Sequence, residues 1–92
     1  MATMPVQLDE ETLIREQVAQ LELPKGVRLA RVEPSVDWTG DPCWRIYFAV
    51  SKRIPLTKRR VEEVGKMKET LRDRLLALNI SGWPFVHFLD AR

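Results

Sequence analysis

The stretch that most restricts what this chain can fold into is Val36-Asp37-Trp38-Thr39-Gly40-Asp41-Pro42-Cys43. Asp and Thr side chains bond the local backbone, Gly40 supplies a positive φ and Pro42 fixes the exit, so the stretch reads as a reversing loop. A strand-like run lies on each side. Val27 to Val36 precedes it and Trp44 to Ser51 follows, with Trp44, Ile46, Phe48 and Val50 alternating against Arg45, Tyr47 and Ala49. The register that sets Val36 opposite Trp44 places Pro34 by Ile46, Val32 by Phe48 and Ala30 by Val50, which makes one continuous apolar face. A slip of one residue would set Glu33 against Ile46 and mix the faces. Pro34 lacks a donor and marks a bulge or an edge position.

The remaining residues read as two helices and a third strand. Residues 1–7 form a loose lead-in. Asp9 then stands as N-cap, with Glu10 and Glu11 in the first turn and Ile14, Val18 and Leu21 as an apolar stripe. Leu23-Pro24-Lys25-Gly26 ends this helix. A second helix runs from Leu56 or Thr57 to Leu78, with Val61, Val64, Met67 or Lys68, Leu71, Leu75 and Leu78 along one side. Gly65 within it marks a close approach to the sheet or the first helix, and Asn79-Ile80-Ser81-Gly82 stops it. Trp83 to Leu89 is the last strand. At 92 residues the chain is one domain. Its order predicts an α+β fold, a two-layer αββαβ sandwich with two helices on one face of a three-stranded mixed sheet. The strand–helix–strand passage makes the last strand parallel to the second. Whether it lies beside the first or the second strand is left open.

Composition excludes several classes of function. Hydrophobic residues at 45% and charged residues at 30% are ordinary for a soluble domain. Cys43 is the only cysteine, so no intramolecular disulfide forms. No apolar run approaches a membrane span, and no signal peptide opens the chain, so a cytoplasmic protein is expected. Glycine-rich phosphate fingerprints are absent and no cofactor is implied. Asp37, Thr39 and Asp41 lack the further oxygen ligands of a calcium loop. His87, the only histidine, has no metal-ligand spacing to Cys43 or to a carboxylate. A Cys43–His87 nucleophile pair has nothing to orient it. No metal site and no catalytic residue are therefore expected, and the chain reads as a binding protein, not an enzyme.

Function then rests on uncovered surfaces. With both helices on the Trp44/Ile46/Phe48/Val50 face, the other face shows Arg31, Glu33, Arg45 and Tyr47. Phe85 and His87 join them if Val86 and Phe88 point to the core. With Trp38 in the loop, Arg31, Glu33, Arg45 and Tyr47 are the protein-binding candidates, for a homodimer or a different protein. The second reading is single-stranded nucleic acid, with bases stacking on Arg45, Tyr47 and His87. Lys52, Arg53, Lys58, Arg59 and Arg60 would assist, since they gather where the second helix begins and suit an anion. The plainer account of that group is neutralisation by Glu62 and Glu63. A net charge of +2 does not decide between the readings.

The loop Asp37-Trp38-Thr39-Gly40-Asp41-Pro42 and the closing strand Trp83-Pro84-Phe85-Val86-His87-Phe88 resemble those of a family of small uncharacterised bacterial proteins. These share a D-x-T-G-D-P loop between two strands and an aromatic last strand. The resemblance implies an accessory, protein-binding role beside toxin–antitoxin-like or nucleotidyltransferase-type partners, and it supplies no catalytic residue. The element order is also similar to type II KH and BolA-like domains. The G-x-x-G loop of a KH domain is missing, so its nucleic-acid function does not carry over.

Overall fold

Helix α1 (Val6–Gln20), strands β1 (Val27–Val36) and β2 (Pro42–Ser51), helix α2 (Lys58–Ala77) and strand β3 (Trp83–Ala91) make up the computed structural model, which describes residues 6–53, 55 and 57–91. The sheet order is β1-β2-β3, with β1 antiparallel and β3 parallel to the central β2. This is the expected α+β architecture, and β3 takes its place beside β2. The expected lead-in lies outside the described residues as far as residue 5, while residues 6 and 7 are helical. Because α1 begins at Val6, Asp9 stands inside it and is not the N-cap. For α2 the N-cap is Thr57, whose hydroxyl accepts from the Arg60 backbone N–H at 3.2 Å, and Asn79 leaves the helix at a left-handed φ of 55°.

The hairpin register differs from the expected one by two residues. Val36 pairs with Pro42, Pro34 with Trp44 and Val32 with Ile46. The cause is the loop, which closes tightly through Asp37 N–H donating to the Asp41 carbonyl at 2.9 Å. A shift of two keeps every side chain on its expected face. Farther along, the register changes between Leu29 and Arg31, leaving Ala30 as a bulge, and Leu29 and Val27 then turn to the core opposite Phe48 and Val50. The bulge therefore lies at Ala30, and Pro34 sits on an edge strand.

Both helices pack on one face of the sheet. Ile14 and Val18 of α1 meet Met67, Leu71 and Leu75 of α2 over Val27, Val32, Trp44, Ile46, Phe48 and Val86. Phe48, Ile14, Ile46, Leu71 and Leu75 are the largest fully buried side chains. Burial of each contributes about 1.5–3 kcal/mol. Val61 and Leu78, expected on the buried side of α2, are exposed. Gly65 is exposed too, with open space where a Cβ would stand, so it marks no close approach. Gly82 is the glycine that does. A Cβ there would lie 2.8 Å from the Cys43 Cα and the Pro42 carbonyl oxygen, because β3 enters the sheet tight against the start of β2.

One buried charge crosses this core. Glu10 of α1 is only 7% exposed and accepts three hydrogen bonds: from Trp44 Nε1 at 2.9 Å, from the Ser81 N–H at 2.6 Å and from Ser81 Oγ at 2.7 Å. Burial pushes its carboxyl up, but the bonds from Trp44 and Ser81 together outweigh burial and hold it below the ordinary 4.5. The clasp joins α1, the central strand and the turn between α2 and β3.

Two glycine substitutions separate the close approach from the open helix. Gly82→Ala is expected to cost about 1–3 kcal/mol through overpacking against backbone, whereas Gly65→Ala gains about 0.5–1 kcal/mol of helix propensity. Urea denaturation of both variants checks the opposite signs. Glu10→Gln puts an amide donor against at least one of the three donors and is expected to cost about 1–3 kcal/mol near neutral pH. A carboxyl whose pKa is lowered on folding stabilises above its unfolded value and loses that contribution as pH falls through the folded one. Denaturation at successive pH values should therefore show wild type and Glu10→Gln converging below 4.5.

Candidate functional site

Alternation places Arg28, Arg31, Glu33 and Ser35 of β1, Cys43, Arg45, Tyr47 and Ala49 of β2, and Trp83, Phe85, His87 and Leu89 of β3 on the face away from the helices. No described element packs on it. Val86 is buried and Phe88 packs against the core, so Phe85 and His87 do point outward. Arg31, Glu33, Arg45, Tyr47, Phe85 and His87 are thereby gathered on one surface.

Two side-chain groups organise that surface. In the first, Tyr47 stands between Arg31, whose guanidinium carbon lies 4.6 Å from the ring centroid, and His87, stacked at 5.1 Å and 24°. Arg31 and His87 come from the strands flanking β2, so both faces of the Tyr47 ring are occupied. In the second, Trp38 meets Phe85 edge to face at 6.3 Å. Trp38 is 86% exposed. Val36, Asp37, Trp38, Arg45 and Phe85 line a shallow hollow of about 470 Å³ at this end of the sheet. Arg45 is held at its edge by donating from Nε to Ser35 Oγ at 3.1 Å, and in register it faces Glu33.

The loop that carries Trp38 is built around Asp37. Its Oδ1 accepts from the Thr39 hydroxyl at 2.6 Å, the Thr39 N–H at 2.8 Å and the Asp41 N–H at 3.1 Å. The Thr39 hydroxyl bond foremost, with backbone N–H groups of Thr39, Asp41 and Gly40, holds the Asp37 carboxyl below its ordinary value. Gly40 takes a φ of 89°. This is the turn chemistry expected of the motif. Among the described residues no group of three His, Cys, Asp or Glu side chains is placed to hold a metal ion.

The basic residues are not part of this face. Lys52 and Arg53 follow β2 at the end opposite the Trp38 loop, roughly 30 Å away along ten residues of strand. Lys58, Arg59 and Arg60 open α2, on the helix side of the sheet. Most of the group is engaged. Arg59 and Arg60 lie 3.5 and 4.0 Å from Glu63, Lys52 lies 3.9 Å from Asp90, and Arg60 Nη2 donates to the Lys25 carbonyl. Arg45, Tyr47 and His87 thus lie on one surface, and Lys58, Arg59 and Arg60 on another.

Cys43 is buried, and in register it pairs with Trp83, four positions from the Tyr47–His87 pair. That separation is about 13 Å along the sheet, so thiol and imidazole do not meet. Among the described residues no helix is long and apolar enough to cross a membrane. No protein-family model matches the chain, and comparison with curated proteins and with solved structures finds no match.

Burial of Cys43 has a direct consequence. In the native protein the thiol should resist an uncharged maleimide and react only on unfolding. Rapid modification under native conditions would contradict its 2% exposure.

Proposed function

We propose that the protein acts by binding another protein through the uncovered sheet face, without chemistry of its own. The observation that carries this reading is Trp38, exposed beside Phe85 and Arg45 on a face no described element covers. Tryptophan, tyrosine and arginine are the residues that most often dominate protein interfaces, where an aromatic anchor fills a small hollow. The charge balance favours a particular partner chemistry. Arg28, Arg31 and Arg45 share the face with Glu33, and Asp37 lines the hollow beside Arg45, so a partner presenting an apolar side chain to the hollow and a carboxylate toward the arginines complements the surface. The loop-motif resemblance points the same way, to an accessory protein beside a larger partner.

The nucleic-acid reading is the weaker one on two counts. A base needs a free ring face, and both faces of Tyr47 are engaged. The basic group Lys52, Arg53, Lys58, Arg59 and Arg60, which that reading calls on to follow a backbone, lies on the other side and end of the domain, with Lys52, Arg59 and Arg60 near acids.

Affinity purification with wild type and a Trp38→Ala/Arg45→Glu variant, compared by quantitative mass spectrometry, tests the proposal. A protein retained by wild type and lost from the variant, whose purified form then binds wild type directly, is the expected result. Identical profiles would refute it. Salt-sensitive binding of labelled single-stranded RNA, weakened by Tyr47→Ala, would promote the second reading instead.

A further inference from the structure

The two edges of the sheet are unlike. The β1 edge carries Arg28, Arg31 and Pro34 and is kinked by the bulge at Ala30, which are the devices that keep an edge strand from pairing. The β3 edge has no bulge, and its devices of this kind sit at its two ends, Pro84 near the start and Asp90 near the finish. From Trp83 to Leu89 it bears no charged residue, and Trp83 and Leu89 are 49% and 39% exposed. The stretch from Trp83 to Leu89, with no described strand beyond it, is a template for another strand.

The helix above this edge has a matching flank. In the helical layer α1 contacts β1 and α2 contacts β3, so the side of α2 turned away from α1 overhangs the free edge. Glu63, Thr70 and Arg74 line the groove toward the end of α1. On the opposite flank, within about 60° of one another around the helix axis, stand Val61 and Leu76 with Lys58, Gly65 and Arg72. Val61 and Leu76 are 57% and 38% exposed, large apolar side chains that the monomer leaves uncovered.

From these two features we infer that the β3 edge and the outer flank of α2 form a single interface, and that its occupant is a second copy of this chain. A two-fold axis at His87, the middle residue of β3, pairs the two strands antiparallel over their full length. It sets Phe85 against Leu89 of the second copy on the open face, and Val86 against its Phe88 on the core face. The same axis runs the two α2 helices antiparallel. Pairing near their midpoints brings Val61 to the second copy's Leu76, and Lys68 to its Glu69. Apolar meets apolar and opposite charges face each other, which a self-complementary contact requires. The β1 edge is the poorer template, because the bulge at Ala30 and Pro34 interrupt its ladder. Stacking through the open faces would bring together two surfaces that each carry Arg28, Arg31 and Arg45 with Glu33 as their one acid among the strand residues of that face. The result is a six-stranded sheet whose uncovered face is twice as wide. This inference extends the binding proposal but uses a different surface, so either can fail alone.

Sedimentation velocity on the full chain is the test, with wild type, Leu89→Lys, Val61→Glu and Arg45→Glu compared and folding checked by circular dichroism. Wild type is expected at twice the 10.7 kDa chain mass, with Arg45→Glu unchanged. Leu89→Lys and Val61→Glu, at exposed positions that the fold does not need, are expected to sediment as folded monomers. A Cys43→Ser/His87→Cys chain should form an interchain disulfide on mild oxidation. Wild type that remains at the chain mass overturns the inference and leaves the partner proposal standing. A dimer dissolved by Arg45→Glu and kept by Leu89→Lys also overturns it, since the self-contact would then lie on the open face. So does a dimer in which the residue-87 disulfide fails to form.

Discussion

Glu10 reaches from the second turn of α1 into the core and accepts hydrogen bonds from Trp44 on the central strand and from both donors of Ser81 before β3. A buried carboxylate is costly unless such donors surround it, and once surrounded it holds each of them in place. Three elements distant in sequence are thus tied at one point. Ser81 precedes Gly82, whose missing side chain lets β3 enter against Pro42 and Cys43. The clasp and the glycine together set where β3 joins the sheet. That placement decides which residues of β3 meet the helices and which meet nothing.

The consequence is a domain with two unlike faces. Helices α1 and α2 bury Ile46, Phe48, Leu71 and Leu75 on one side. The other side keeps Arg31, Tyr47 and His87 in a preassembled stack and holds Trp38 over Phe85. The stack stiffens the face, so little side-chain freedom is lost when a partner docks on it. Arg45 adds a directed cation between the two groups. The binding reading grows from this asymmetry, since ordered aromatic and arginine side chains on bare sheet serve no packing need within the monomer.

Much of this was legible in the chain itself. The period-two alternation of Trp44 to Val50 identified both faces of β2, and a register error of two residues left those faces intact. The loop was readable because Asp37, Thr39 and Gly40 each have a local reason to be there. Less legible was whatever depended on distant contacts. The bulge at Ala30 has no glycine to announce it and is set by the need to turn Leu29 and Val27 inward. Asp9-Glu10-Glu11 looks like a helix start because acids suit that position, yet Glu10 is spoken for by Ser81, 71 residues away. The Tyr47–His87 stack requires β3 beside β2, a strand order that alternation cannot specify. The basic residues before and within α2 look like an anion site in one dimension, and only their placement behind the sheet separates them from Tyr47.

One face of the sheet is sealed by the helices and the other is left open. Solvent paramagnetic relaxation on the free protein, measured by NMR with a soluble uncharged gadolinium chelate, tests this difference most directly. Side-chain signals of Trp38 should relax most strongly and those of the partly exposed Tyr47 and Phe85 measurably, while those of Trp44, Ile46 and Phe48, each 2% exposed or less, should be spared. Equal protection of Tyr47, Phe85 and Phe48 would mean that the open face is covered in solution, and would contradict the account.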